Sequence, residues 1–437
     1  STGITTEEDL KKAINGATGP TEISLSKGIT LSSDLTIAED KNITLNLNGQ
    51  TLKAESYIIS VTDGSALTIK DSSANGSGNG TGKITADYQI EVDDASLVLN
   101  SGTIEITGTT DGKTYGVYVS NGGSAIVNNG TITSNFAPLA GNNTTGDMNF
   151  EVHDGTLTAK KGPAIYMPGQ VTLKIAGGTL NGGVSLRMGQ VTISGGTINA
   201  ASSNIDDPSE FYNYGGNAWL PDALYVFNGT YTSENTNYGN SLKLEITGGT
   251  FNCNNGQGSA IAIYDLGKVE QESNVTISGT ANLSTSTSGR SAYQVLSLSD
   301  IGVNSPEAGY GTYSGKVASS ITGGTFSSDV SGYVSAGYKC ELSGDTYTVS
   351  EIGDAELVVK PDTSEEGTAS ATLDGNFSSG ATVINPDGNE AAGSVSGTDV
   401  SVNLTPNSPT SDSTTTASLN VTGSTVSSLA TGNATLT

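Results

Sequence analysis

The sequence predicts an all-β protein: a right-handed parallel β-helix with a short N-terminal capping helix, followed by a small C-terminal β-sandwich-like domain. Three observations predict it. Apolar residues make up only 34% of 437 residues, yet from residue 20 onward they alternate with polar ones at the period of a strand. Fifty-eight glycines punctuate that alternation, supplying turns that need positive φ. A Gly–Thr motif recurs down the chain, and no single copy has enough apolar surface to fold alone.

The elements follow in chain order. TTEEDLKKAI at 5–14 is the one helical pattern, with Thr5 or Thr6 as cap, acids in the first turn, and Leu10, Ala13 and Ile14 as its apolar face. It is placed to cover the raw end of a stack of strands. The ladder then reads NSGTIEI at 100–106, NNGTITS at 128–134, HDGTLTA at 153–159, AGGTLNG at 176–182 and SGGTINA at 194–200. FNGTYTS at 227–233, TGGTFNC at 247–253, a SGT at 278–280 and TGGTFSS at 322–328 complete it. The glycines of these pairs are separated by 28, 25, 23, 18, 33, 20, 30 and 45 residues. Most of these gaps suit solenoid coils, and they are too short and unequal for propeller blades. A second ladder runs in step, with YIISVTDG at 57–64, YQIEVDDA at 88–95, YGVYVSNG at 115–122, GGVSLRMG at 182–189 and DALYVFNG at 222–229. Each coil therefore holds two or three short strands, and stacked coils close a continuous core. Right-handedness comes from the general rule for parallel crossovers. The expected boundaries are a cap at 1–20, the β-helix at 21–350 and a C-terminal domain at 351–437. In that last stretch aromatics vanish except Phe377 while V-x-V and L-x-V spacings persist. These spacings favour an Ig-like sandwich over a Ser/Thr-rich stalk.

Interruptions of the ladder are where a solenoid carries loops, often on its binding face. ASSNIDDPSEFYNYGGNAWLP at 201–221 gathers Phe211, Tyr212, Tyr214 and Trp219 beside Asp206, Asp207 and Glu210. The rings suit stacking on sugars or anchoring a protein. The three carboxylates are candidate ligands for Ca2+, the one cofactor the sequence suggests. RSAYQVLSLSDIGVNSPEAGYGTYSG at 290–315 adds Tyr293, Tyr310 and Tyr313, and FAPLAGNNTTGDMN at 136–149 is a milder interruption. The plainer reading of the first loop is a cover for exposed rungs or a dimer contact.

Charge narrows the partners. Forty-four acids against 18 bases give −26, which excludes nucleic acid and disfavours anionic membrane surfaces. No apolar stretch reaches 18 residues, so no membrane insertion is expected. Cys253 and Cys340 are too few for a disulfide framework and read as small buried hydrophobes, with pairing left open.

DLTIAEDKNITLNLNGQTLKA at 34–54 resembles the first coils of the pectate-lyase-like β-helices. GGTFSSDVSGYVSAGYK at 323–339, followed by GDTYTV, resembles the terminal coil of adhesin-like surface proteins of Gram-positive gut bacteria. Together the resemblance covers about residues 1–350. It implies an extracellular protein, secreted or cell-wall associated, that binds a host glycan or a secreted or surface protein. It also raises two alternatives: a polysaccharide lyase or glycoside hydrolase, and a spacer within a larger wall protein.

The enzyme alternative has little among the residues. A lyase of that fold needs Ca2+-binding acids and a base, and a hydrolase needs paired carboxylates. The arginines are Arg187 and Arg290 alone, and Arg187, on a strand, is expected to point to solvent. The pairs Asp93–Asp94 and Asp206–Asp207 read as solvated turns. His153, the sole histidine, stands at a turn position too.

Overall fold

The computed structural model describes residues 3–351 except 75–79, 110–113, 142–147, 202–219, 230–240, 266–271, 298–299 and 301–316; beyond 351 it describes strands only. The chain divides into two compact units, residues 1–276 with 280–318, and residues 277–279 with 319–437.

The first unit opens on the helix Glu7–Asn15. Thr6 caps it, its side chain accepting from the Asp9 amide at 3.1 Å. Leu10 and Ile14 are buried. Glu7 ties the helix to the first coil by accepting from the amide and hydroxyl of Ser32 at 2.8 and 2.6 Å. Parallel strands follow, three per coil. The first complete coil consists of Leu35–Ile37, Asn42–Asn46 and Thr51–Ala54, and the pattern continues to Ile261–Asp265, Ser273–Ile277 and Asn282–Thr285. The parallel sheet curls round an axis as a parallel β-helix with three faces, called here first, second and third in that strand order. In two coils the first and second faces are one continuous strand, Ile165–Ile175 and Val184–Ile193.

Register explains the core. On the third face Leu52, Ile84, Ile104, Ile132, Leu157 and Leu180 stack in successive coils, each fully buried. Burying one such side chain contributes about 1.5–3 kcal/mol, so the column is a continuous source of stability that no single coil has. Size is compensated between rows. Phe150 lies in register with Ala125, and a Cβ on Gly141 would stand 2.9 Å from the Phe150 ring.

Two expectations about the ladder need correction. Gly229 is not a rung, and Gly279 precedes its third-face strand, Asn282–Thr285, by three residues where the other turn glycines precede theirs by one. Thr197 pairs with Thr250, and Thr250 pairs with Asn282. Gly229 instead ends the first-face strand Leu224–Asn228. The expected gaps of 33 and 20 residues therefore belong to one coil carrying insertions. The interruption at 136–149 also contains regular structure, the strand Leu139–Gly141.

In the second unit Phe326 and Ile321 are fully buried, and Val334 bridges to Ile321. The hairpin Tyr338–Ser343 and Thr346–Glu351 then turns the pairing antiparallel. Antiparallel strands occupy the rest. Glu390–Ser396 pairs through its first residues with Thr382–Ile384 and through its last with Asp399–Leu404. A strand that changes partner at mid-length is how a sandwich turns a corner. Among the described residues no helix is long and apolar enough to cross a membrane.

Candidate functional site

The first face carries an outward row that departs from the polar exterior expected of a solenoid. In successive coils the register aligns Ser60, Glu91, Tyr118, Ala140, Tyr166 and Ser185, then Tyr225. Two residues before each of three consecutive first-face strands stands another tyrosine: Tyr57, Tyr88 and Tyr115. All three are half-buried.

Tyr115 shows why the rings gather. Tyr118 and Tyr166 are two coils apart, roughly 9–10 Å at the spacing of neighbouring strands. Ala140 between them leaves a gap. The Tyr115 ring fills it, 5.6 Å from Tyr118 at 26° and 6.2 Å from Tyr166 at 3°, packed on Ala137 and Ala140. Burial, and next the neighbouring Tyr118, push the Tyr115 phenol above its ordinary range. A strip of tyrosines thus runs along the axis, with Tyr57, Tyr88, Tyr115 and Tyr118 half-buried and Tyr166 nearly covered. The sequence displays the three leading tyrosines in its second ladder; what it hides is Ala140.

Further along the same face the outward positions are sealed from solvent. Tyr225, Phe227 and Tyr264 alternate with core residues, yet all three are buried. Phe227 packs edge-on to Tyr225 at 5.5 Å and tilted against Tyr264 at 6.1 Å. Arg187 corrects the expectation that it points to solvent: it is 2% exposed. Its Nη1 donates to the Gly229 carbonyl at 3.3 Å, and its guanidinium lies 5.7 Å from the centre of the Phe227 ring. A guanidinium tolerates burial over a ring because it is weakly hydrated and attracted by the ring's negative face. Asp222 is fully buried and accepts from the Tyr264 hydroxyl and the Ser259 amide, both at 2.7 Å. Burial drives its carboxyl upward, with these donors and Arg290 opposing. These groups hold coils together and offer no open site.

Tyr293 also requires correction. It stands in register with Ile261 on the inward side of its strand and is fully buried, so it belongs to the core and presents no binding ring. Phe211, Tyr212, Tyr214, Trp219, Tyr310 and Tyr313 lie outside the described residues, as do Asp206, Asp207 and Glu210. Among the described residues no three His, Cys, Asp or Glu side chains are grouped as metal ligands. His153 faces Glu151 at 3.0 Å on the surface. Asp93 accepts from the Ser120 hydroxyl at 2.9 Å, while Asp94 is a turn residue with φ 48°. Both cysteines are free thiols, with Cys253 buried and its Sγ 3.2 Å from the Pro221 carbonyl. No family model, curated protein or solved structure matches the chain.

Proposed function

We propose that this chain is an extracellular, surface-associated binding protein of the adhesin-like β-helix kind, and that its ligand is a glycan held on the tyrosine strip. The observation that carries the reading is the row Tyr57, Tyr88, Tyr115, Tyr118 and Tyr166, held on and just before the first-face strands with the first four half-buried and Tyr115 stacked between Tyr118 and Tyr166. Apolar rings with a hydroxyl at the rim suit the mixed apolar and hydroxylated surface of a sugar. Preorganised rings lose little entropy on binding. Glu91, in register with Tyr118, and the net charge of −26 turn the preference away from acidic sugars. That same charge disfavours the uronate-cleaving alternative.

The test is binding of the full chain to an array of neutral and acidic glycans, to mucin and to secreted host proteins, repeated with Tyr88→Ala and Tyr118→Ala. Each ring removed weakens glycan binding about three- to tenfold if stacking carries it. Binding unchanged by both substitutions but lost with Trp219→Ala and Tyr214→Ala moves the site to the insertion at 201–221. Release of fragments from a polysaccharide makes the protein an enzyme, and no binding to any probe leaves the spacer role.

A further inference from the structure

The third face presents a different surface to solvent. Its strands begin with the threonine of the Gly–Thr repeat, and register aligns Thr131, Thr156, Thr179, Thr197 and Thr250 with Asn282 in one outward rank. Two residues on, a second rank holds Thr133, Thr158, Asn181, Asn199, Asn252 and Ser284. None of the twelve is charged, in a chain of net charge −26. None is larger than asparagine, and none is buried.

The coil does not demand this. One to three coils earlier the same two ranks contain Lys83 in the first and Lys53 and Glu105 in the second, with Lys83 and Glu105 paired at 3.5 Å. The second face of the same coils also carries charge, with Glu151, Lys174 and Glu245 in one rank. Charge is therefore compatible with these positions, yet both outward ranks of the third face are without it over six successive coils.

The second rank is internally ordered. Asn181 donates to the Thr158 hydroxyl at 3.3 Å, Asn199 to the Asn181 carbonyl oxygen at 2.9 Å, and Asn252 to that of Asn199 at 3.0 Å. The Ser284 hydroxyl donates to Asn252 at 3.1 Å. Each of the three asparagines uses one of its amide's two N–H groups and one of its oxygen's two lone pairs. The ladder thereby fixes the amides and leaves a donor and an acceptor on each, repeated at the strand spacing.

We infer that this strip is a docking surface for an extended, uncharged polysaccharide lying along the helix axis. Its shape selects that occupant. Two ranks roughly 7 Å apart over six coils spaced roughly 4.8 Å give a strip about 24 Å long and little more than two side chains wide. Such a strip is far below the ~800 Å² per partner of a stable protein dimer, but it matches one linear chain. Fixed donor–acceptor pairs meet the hydroxyls of a neutral sugar, and a surface without charge fits a polymer without charge. The inference does not rest on the tyrosine strip, which lies on another face and is tested with other substitutions.

The experiment is affinity electrophoresis of the full chain in gels containing a linear β-glucan, a mannan, a xylan or, as the acidic counterpart, polygalacturonate. The wild type is retarded by at least one neutral polymer and not by polygalacturonate. The variant T179K/T197K, which repeats the lysine already present in this rank at Lys83, loses that retardation by about tenfold in apparent affinity. T179S/T197S, which keeps both hydroxyls, retains it. Unchanged thermal melting shows that the lysines spare the fold. Equal retardation of T179K/T197K and wild type, or no retardation of wild type by any neutral polymer, overturns the proposal. So does sedimentation showing a dimer that T179K/T197K abolishes, because the face is then a self-contact. Loss of retardation in Tyr88→Ala and Tyr118→Ala but not in T179K/T197K assigns all glycan binding to the first face and also overturns it.

Discussion

Gly196 and Gly256 make a controlled pair. Both have positive φ, 86° and 75°. A Cβ on Gly256 would meet nothing within 4 Å, whereas one on Gly196 would stand 2.8 Å from the Gly177 carbonyl oxygen and 3.1 Å from that of Gly178. Gly256 is required by its turn alone, Gly196 by its turn and by the coil beneath it. Alanine in the left-handed region costs roughly 1–2 kcal/mol at either site. At Gly196 the methyl must also drive two backbones apart, which adds about 1–3 kcal/mol by analogy with overpacked cores. Asparagine separates the two terms, because it tolerates the left-handed region, and Asn48 and Asn121 already adopt φ of 50° here. Gly256→Asn is therefore close to neutral, while Gly196→Asn still loses about 1–3 kcal/mol.

Urea denaturation of the full chain followed by far-UV circular dichroism gives the ranking. Hydrogen exchange of peptides spanning 179–182, 197–200 and 250–253 locates the loss, since two units need not unfold in one step. For Gly196 the loss of protection centres on the neighbouring coils. Equal effects of asparagine at the two positions would refute the reasoning. The Gly–Thr repeat would then be a turn signal only, with no part in setting the distance between coils.

Three further outcomes are expected. Glu7, held down to about 2 by its bonds to Lys11 and then Ser32, contributes stability that is full above its ordinary value of 4.5 and is lost as pH falls toward 2. The shift corresponds to roughly 3 kcal/mol at most and about 1 after solvent screening. Accordingly, exchange protection of the helix Glu7–Asn15 falls through that window in wild type and is already low at pH 7 in Glu7→Gln. Cys253, whose thiol burial pushes up to about 11, resists iodoacetamide in the folded chain at pH 8, while half-buried Cys340 is alkylated first; mass spectrometry of each peptide reads the order. Arg187→Ala leaves the Gly229 carbonyl without that donor and a void over Phe227, lowering stability by about 3–5 kcal/mol, whereas Arg187→Met recovers part of it. Urea midpoints of the two variants decide.

How much of this was legible depended on whether a position faced in or out. Inward columns such as Ile104, Ile132 and Leu157 alternate with polar residues, and the alternation exposes them. The N-terminal helix is announced by Thr6 and its acids. Where both sides of a strand are buried, alternation fails. Leu224–Asn228 is covered on both, so the outward Tyr225 and Phe227 look no different from core, and Arg187 in a neighbouring coil looks like surface. Tyr293 misled for the opposite reason: an aromatic in an interrupted stretch reads as a loop ring, but its strand partner Ile261 places it inside. The tyrosine sandwich was hidden because it needs Ala140, a residue that carries no signal of its own.

A coil constrains its inward side chains by volume and its turns by φ, which leaves the outward ranks as the positions where composition is free to vary by face. They do vary. The second face pairs charges, Glu22 with Lys70 at 2.9 Å and Glu151 with Lys174 at 3.2 Å, as a soluble surface needs. The first face exchanges Glu91 for a run of tyrosines. The third exchanges Lys83 and Glu105 for threonine and asparagine within one coil and keeps them for six. Folding alone would accept the same exterior on all three faces, because the second shows that charged ranks stack as well as neutral ones. Two adjacent ranks of hydroxyls and amides kept side by side over six coils, in a chain this acidic, therefore point to something that meets that face. The Gly–Thr repeat is thus both the fold's marker and the source of one of these uncharged ranks, since the threonine that follows each turn glycine is the residue that looks outward.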